Sequence, residues 1–332
     1  MTTTQGSQKE DSASDYGTHP GAFANGLFKN LSTAAGILIL VTLAAVAAFL
    51  LEEAWPAISA AGADLGDKVS FIKPEDGQSL IEIIGYLVYG TLLISVVALL
   101  IATPIAIGIA LFISHFAPRR LAAGLGYLID LLAAVPSVIY GLWGIGVLVP
   151  FLQPFYQFLA DYFGWIPIFA PPESGEIFTG KVALSASIVL AIMVLPIISA
   201  VSREVFLQTP KLHEEAALAM GATRWEMIRM AVFPFGRSGM IGATMLGLGR
   251  ALGETMAVLM IIGPGLTYSP YMLQATQHNT IAGYIALQFP ESNALGVNAL
   301  ITMGLALFLI TLAVNMLARW IVSRRSEFSG AN

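Results

Sequence analysis

The sequence predicts an all-α, polytopic membrane protein with six transmembrane helices, on the strength of its composition, its apolar runs and its charge placement. Of 332 residues, 56% are hydrophobic and 11% charged, with mean hydropathy +0.76. A soluble domain carries about a quarter charged residues. Several apolar runs exceed the ~20 residues needed to cross a hydrocarbon core of about 30 Å. The sequence has no cysteine, which excludes disulfides and thiolate metal sites.

The six spans are expected at about 27–51, 83–116, 121–149, 182–201, 238–263 and 295–321. The second and third are long, which predicts tilt, a kink or ends projecting beyond the core. The third runs through Pro136 into an aromatic stretch at 151–169. There Pro154, Asp161, Gly164 and Pro167 favour an external interfacial loop over a seventh span.

Cytoplasmic loops retain positive charge. With the N-terminus inside, the cytoplasmic segments hold Lys9, Lys29, Arg119, Arg120, Arg203, Lys211, Arg224, Arg229, Arg237, Arg319, Arg324 and Arg325. The opposite side holds Lys68, Lys73 and Lys181, and Arg250 lies within a span. This asymmetry puts both termini in the cytoplasm. Residues 1–26 read as a disordered cytoplasmic tail, 27–322 as the six-helix transmembrane domain with a cytoplasmic loop at 203–237, and 323–332 as a C-terminal tail. The first apolar run is longer than the core of a cleaved signal peptide, so a retained anchor is expected.

The loop at 203–237 carries helix signals. Thr209-Pro210 fits an N-cap followed by proline at the first helical position. That helix should run through Met220, with Gly221 as a left-handed C-terminal cap. Thr223-Arg224-Trp225-Glu226 fits a capping box for a second helix ending before Pro234.

Glu215-Ala216-Ala217, Gly221 and Ala231-Val232-Phe233-Pro234 have the spacing of Glu-Ala-Ala, three residues, Gly, nine residues, Ile-x-Leu-Pro. On these residues the chain resembles the inner-membrane permeases of ATP-binding-cassette importers, with Ala231 and Phe233 departing from Ile and Leu. The resemblance implies a MetI-like permease fold and a coupling helix seated on an ATPase subunit. It also implies that Glu215, Ala216, Ala217 and Gly221 transmit ATPase closure to the spans. Small Ala side chains suit close helix approach, and glycine permits the turn. Hydrolysis would belong to a partner chain carrying ATP and magnesium, with no catalytic residue, metal or cofactor in this one. Gly175-Glu176-Ile177-Phe178-Thr179-Gly180-Lys181-Val182 lacks the Ser or Thr of a phosphate-binding loop and lies on the external side; it reads as coincidence.

The fifth span carries Arg250 and Glu254, four apart and therefore expected on one helix face near mid-membrane. An arginine at that depth costs about 2.5–3.5 kcal/mol on the insertion scale. Gly249 and Gly253 have the spacing of a close-approach motif. Asp130 supplies a further intramembrane charge. Two readings stand together: a structural cluster in which Glu254 and Asp130 neutralise Arg250, and a substrate route in which Arg250 meets an anion while Glu254 or Asp130 holds it in place. A guanidinium replaces part of a phosphate's hydration with paired N–H donors.

The stretches Gly-Leu-Gly-Arg-Ala-Leu-Gly-Glu-Thr-Met-Ala at 247–257 and Leu-Leu-Ala-Ala-Val-Pro-Ser-Val-Ile-Tyr-Gly-Leu-Trp-Gly at 131–144 resemble the phosphate-specific permeases of the PstC type. That resemblance implies transport of inorganic phosphate with roles for Arg250 and Glu254. Its implied partners are a sister permease (PstA-like), two copies of an ATPase (PstB-like) and an external phosphate-binding protein (PstS-like). Delivery by a carrier fits the first external loop, where Glu52, Glu53, Asp64, Asp67, Glu75, Asp76 and Glu82 outnumber Lys68 and Lys73. The alternatives are the same machinery for sulfate or molybdate, and a proton-coupled transporter using Glu254 and Asp130, against which the Glu-Ala-Ala loop argues. His19, His115, His213 and His278 are scattered and suggest no metal cluster.

Overall fold

The computed structural model describes residues 22–60, 68–72, 79–173, 175 and 179–326. The chain divides into two compact units, Met1–Glu52 and Glu53–Asn332. Most of the tail expected at 1–26 lies outside the described residues, as do Asp64, Asp67, Lys73, Glu75 and Asp76. Helix α1, Ala22–Ser59, straddles the boundary between the units. Leu27, Leu31, Ile37, Leu40, Leu43 and Phe49 on it are exposed, as a lipid-facing helix requires.

Among the described residues of the second unit the regular elements are helices, with one isolated antiparallel bridge between Val182 and Ala275. After α1 come α2 (Leu80–Leu111), α3 (Arg119–Ala133), α4 (Ser137–Trp143), α5 (Val149–Phe163) and α6 (Ala183–Leu207). They are followed by α7 (Lys211–Ala219), α8 (Arg224–Met227), α9 (Phe233–Leu252), α10 (Met256–Ile261), α11 (Ile281–Gln288) and α12 (Ala294–Ser326). Among the described residues, five helical stretches are long and apolar enough to cross a membrane: Gly26–Ser59, Leu80–Phe116, Ser137–Phe163, Ala183–Leu207 and Ala294–Trp320.

Two expected spans are corrected. The run at 121–149 is not one helix. Proline has no N–H and biases its predecessor away from helix, so α3 stops at Ala133 and α4 starts after Pro136. The Leu132 carbonyl, which residue 136 would otherwise have bonded, accepts the Tyr140 hydroxyl at 2.9 Å. The crossing then continues through α5 to Phe163, so the aromatic stretch read as a loop is helical over most of its length. The run at 238–263 likewise divides into α9 and α10, broken at Gly253–Thr255. Arg237, Arg250 and the glycines at 236, 239, 242, 247 and 249 make α9 less apolar than its neighbours.

Three π-helical turns, Phe112–Phe116, Gly144–Leu148 and Ile228–Val232, share one cause. Each is followed two residues later by a proline: Pro118, Pro150 and Pro234. The residue just before each proline donates to the carbonyl five back, as Val149 does to Gly144 and Phe233 to Ile228. At Pro150 and Pro234 the widened ring carries the helix across the missing donor, whereas Ala117 is extended and the first of these helices stops before Pro118. This is why α8 runs on into α9 instead of ending before Pro234.

Helix α6 is the hub. In one core, Ile94, Ala98, Leu99 and Ala102 of α2 meet Leu190, Ala191, Val194 and Ile198 of α6. Lipid supplies no hydrophobic drive between helices, so close packing of small residues must hold them. Gly236, Gly239, Ala243 and Gly247 line the α6 side of α9. A Cβ at Gly247 would lie 2.7 Å from Ile198 Cδ1, and one at Gly236 would lie 3.0 Å from Phe206 Cδ1. The close-approach glycines are therefore Gly236, Gly239 and Gly247. No atom lies within 4 Å of a Cβ placed at Gly249, and Gly253 lies past the helix end.

Replacing Gly247 with Leu should destabilise the assembled protein by about 1–3 kcal/mol through overpacking, whereas Gly249→Ala should leave thermal unfolding of the solubilised complex unchanged.

Candidate substrate cavity and coupling loop

A cavity of about 790 Å³ lies between α9 and α12. Its α9 wall is the stripe Ser238, Ile241, Gly242, Met245, Leu246, Gly249 and Arg250; its α12 wall is Asn315, Ala318 and Arg319, with Ile197 of α6 beside them. Helical periodicity explains the stripe, since residues three and four apart share a face. Nothing lies within 4 Å of a Cβ placed at Gly242 or Gly249, so both glycines open onto this space. Arg250 is exposed and has no ion pair among the described residues.

The other two acidic candidates are elsewhere. Glu254 is 7% exposed and sits in the break after α9, where its carboxylate accepts the Ala257 N–H at 3.1 Å and caps α10. Because α9 has already ended, Arg250 and Glu254 do not share a helix face as expected. Asp130 is exposed and faces Arg203 of α6 at 3.7 Å, while Arg203 also donates to Glu204 at 2.8 Å. Asp130 therefore neutralises Arg203 and not Arg250. The Arg203 guanidinium occupies the space above Gly126, where a Cβ would collide with it.

In the loop, Gly221 has φ +88° and completes the cap of α7: Ala222 N–H bonds the Ala217 carbonyl at 3.2 Å and Gly221 N–H the Leu218 carbonyl at 3.0 Å. Thr223 and Glu226 form the expected capping box. The backbone N–H and then the hydroxyl of Thr223 hold the Glu226 carboxyl below its ordinary range. A depressed carboxylate contributes stability above about pH 4.5 that is lost as pH falls through the lower folded value. The other end of α7 differs from expectation. Pro210, not Thr209, is the N-cap, and the buried Thr209 hydroxyl has no hydrogen-bond partner among the described residues.

Of the residues expected to contact an ATPase, Glu215, Ala216 and Gly221 are exposed, whereas Ala217 is buried. Ala217 joins Ala110 and Leu111 of α2, Phe206 of α6, and Met227, Ile228 and Val232 in one cluster. Leu212, Leu218, Met220 and Trp225 remain exposed beside it. The sequence reading missed His115, whose Nε2 approaches Glu214 at 3.5 Å and ties the end of α2 to α7. It also missed Arg203 as the partner of Asp130. Nothing in the local pattern around either residue names a partner so distant in sequence.

Residues 102–327 match the family described as the binding-protein-dependent transport system inner membrane component. The phosphate transport system permease protein PstC 2 of Mycobacterium tuberculosis is 45% identical over 296 residues, covering 88% of this chain and 90% of that one. The PstC protein of Xylella fastidiosa (strain 9a5c) is 41% identical over 316 residues, covering 93% and 94%. The chain belongs to the PstC family of phosphate transport system permeases. As a member of that PstC family it is an inner-membrane permease component and not an enzyme. A chain of an inward-facing MetNI methionine ABC transporter aligns at 17% identity with TM-score 0.49, covering 72% of this chain and 96% of that one, a likeness too slight to add to the PstC match.

Gly221→Val should strain the left-handed turn by about 1–2 kcal/mol and abolish substrate-stimulated ATP turnover in the assembled complex. Gly221→Asn, which tolerates that conformation, should retain most of it.

Proposed function

We propose that this chain is one of two permease subunits carrying inorganic phosphate into the cytoplasm, with Arg250 meeting the anion in the cavity between α9 and α12. The carrying observation is a guanidinium with no ion pair among the described residues, lining a largely apolar cavity beside two glycines that leave it open. An arginine in low dielectric is tolerable where water or an anion reaches it, and its fork of donors matches phosphate oxygens. Glu254 fixes the helix break that sets the height of Arg250, and Asp130 acts at a distance through Arg203 and α6.

In this reading the chain crosses six times in a MetI-like arrangement, with both termini in the cytoplasm. At about 1.5 Å per residue, the 20 residues of α9 reach about 30 Å and suffice for the crossing that hydropathy alone does not pick out. The partners are a sister permease, two ATPase subunits that bind ATP and magnesium, and an external phosphate-binding protein. Glu215, Ala216 and Gly221 face the ATPase. Ala217 passes its movement to α2, α6 and α9 through the cluster it enters. The exposed Leu212, Met220 and Trp225 supply apolar surface for that contact.

Replacing Arg250 with Gln should abolish labelled-phosphate uptake into vesicles containing the full complex while assembly persists. Sulfate and molybdate should compete weakly. Uptake at the wild-type rate would leave Arg250 a structural charge, and strong competition by sulfate would change the substrate.

A further inference from the structure

Arg319 counts, by sequence, as one of many positive charges at the cytoplasmic side. Its position in the fold is more specific. It lies on the last quarter of α12 and lines the same cavity as Arg250, with Asn315 one turn before it on the same face. Across from it, Ser238 stands near the start of α9, and α9 continues directly from the coupling-loop helix α8 through a π turn. From Ser238 to Arg250 the stripe extends 12 residues, about 18 Å along the helix.

Two guanidiniums therefore face one cavity. The residues lining it include no carboxylate, and neither arginine has an ion pair among the described residues. Like charges on apolar walls repel more strongly than in water. The arrangement is stable when an oxyanion sits between or alongside them, accepting from the guanidinium forks and from the Asn315 amide.

We propose that Arg319 and Asn315 form a second phosphate station, through which the ion passes between Arg250 and the cytoplasm. This rests on the transport reading above. A free phosphate suits the cavity better than a lipid headgroup, because Arg250 lies too far along α9 for a headgroup held at the membrane surface. Two stations divide one strong attraction into two weaker ones, so the ion leaves Arg250 without giving up its whole guanidinium attraction in one step.

The test uses the full complex in liposomes, with labelled-phosphate uptake and binding-protein-stimulated ATP hydrolysis measured together. Arg319→Gln should lower uptake about tenfold, the scale of one lost charge-assisted hydrogen bond, with ATP hydrolysis per complex unchanged. Arg319→Lys should recover part of the loss, and Gly242→Leu, which fills the cavity from its open side, should reproduce it. Wild-type uptake by Arg319→Gln beside an inactive Arg250→Gln would overturn the second station alone. Activity in both would overturn the transport reading as well. A defect that appears in phosphatidylglycerol-containing liposomes and vanishes in pure phosphatidylcholine would assign Arg319 to a lipid headgroup and overturn the proposal. Loss of ATP hydrolysis together with uptake in Arg319→Gln and Arg319→Lys would make the residue structural and overturn it too.

Discussion

A permanent positive charge on the cavity-lining face of α9 is the constraint around which this chain is organised. Arginine does not lose its proton, so Arg250 must be paired, hydrated or matched by an anion. The fold leaves it unpaired among the described residues and gives it a cavity. Two features of α9 make that possible. One face is stripped to Gly236, Gly239, Ala243 and Gly247, so the helix lies tight against α6; another carries Gly242 and Gly249, so it stands clear of its surroundings. The same residue type fills opposite roles on two faces of one helix, and only packing distinguishes them.

The cavity-lining helix α9 and the loop at 203–237 meet in one packed cluster. Ala217 ties α7 into a cluster containing the end of α2, Phe206 of α6 and the π turn that opens α9. Those are the helices that support or line the cavity. In the proposed coupling, a push on α7 would pass to α9 through this cluster, and the π turn keeps α8 and α9 one helix across Pro234. The His115–Glu214 contact adds a polar tether from α2 to α7. Interfaces of close-packed helices shift between discrete arrangements instead of bending smoothly, which suits a carrier that must open to one side at a time.

Local signals in the sequence were dependable where the physics is local. The membrane setting follows from composition, the Gly221 turn from its place after a helical run, and the Thr223–Glu226 box from spacing alone. What escaped is what depends on distant partners or on breaks within apolar runs. The expectation that Arg250 and Glu254 share a face assumed an unbroken helix, whereas Gly253 ends it and Glu254 turns to cap the next one. Asp130 was legible as a charge in the wrong solvent, but its partner Arg203 is 73 residues away in sequence and no periodicity points to it. Aromatic residues and prolines at 151–163 resemble loop composition, yet a helix preceded by a π turn accommodates them.

This chain has no cysteine, so a single engineered thiol is the one labelling site on it, and the parent complex without that substitution supplies the background. The most direct measurement is the labelling rate of Gly249→Cys in the assembled transporter by membrane-impermeant thiol reagents of opposite charge. A water-filled anion route beside Arg250 predicts faster reaction with the anionic reagent and slowing by inorganic phosphate. Labelling only by a lipid-soluble reagent, indifferent to phosphate, would place Gly249 and its neighbouring arginine against lipid and contradict the account.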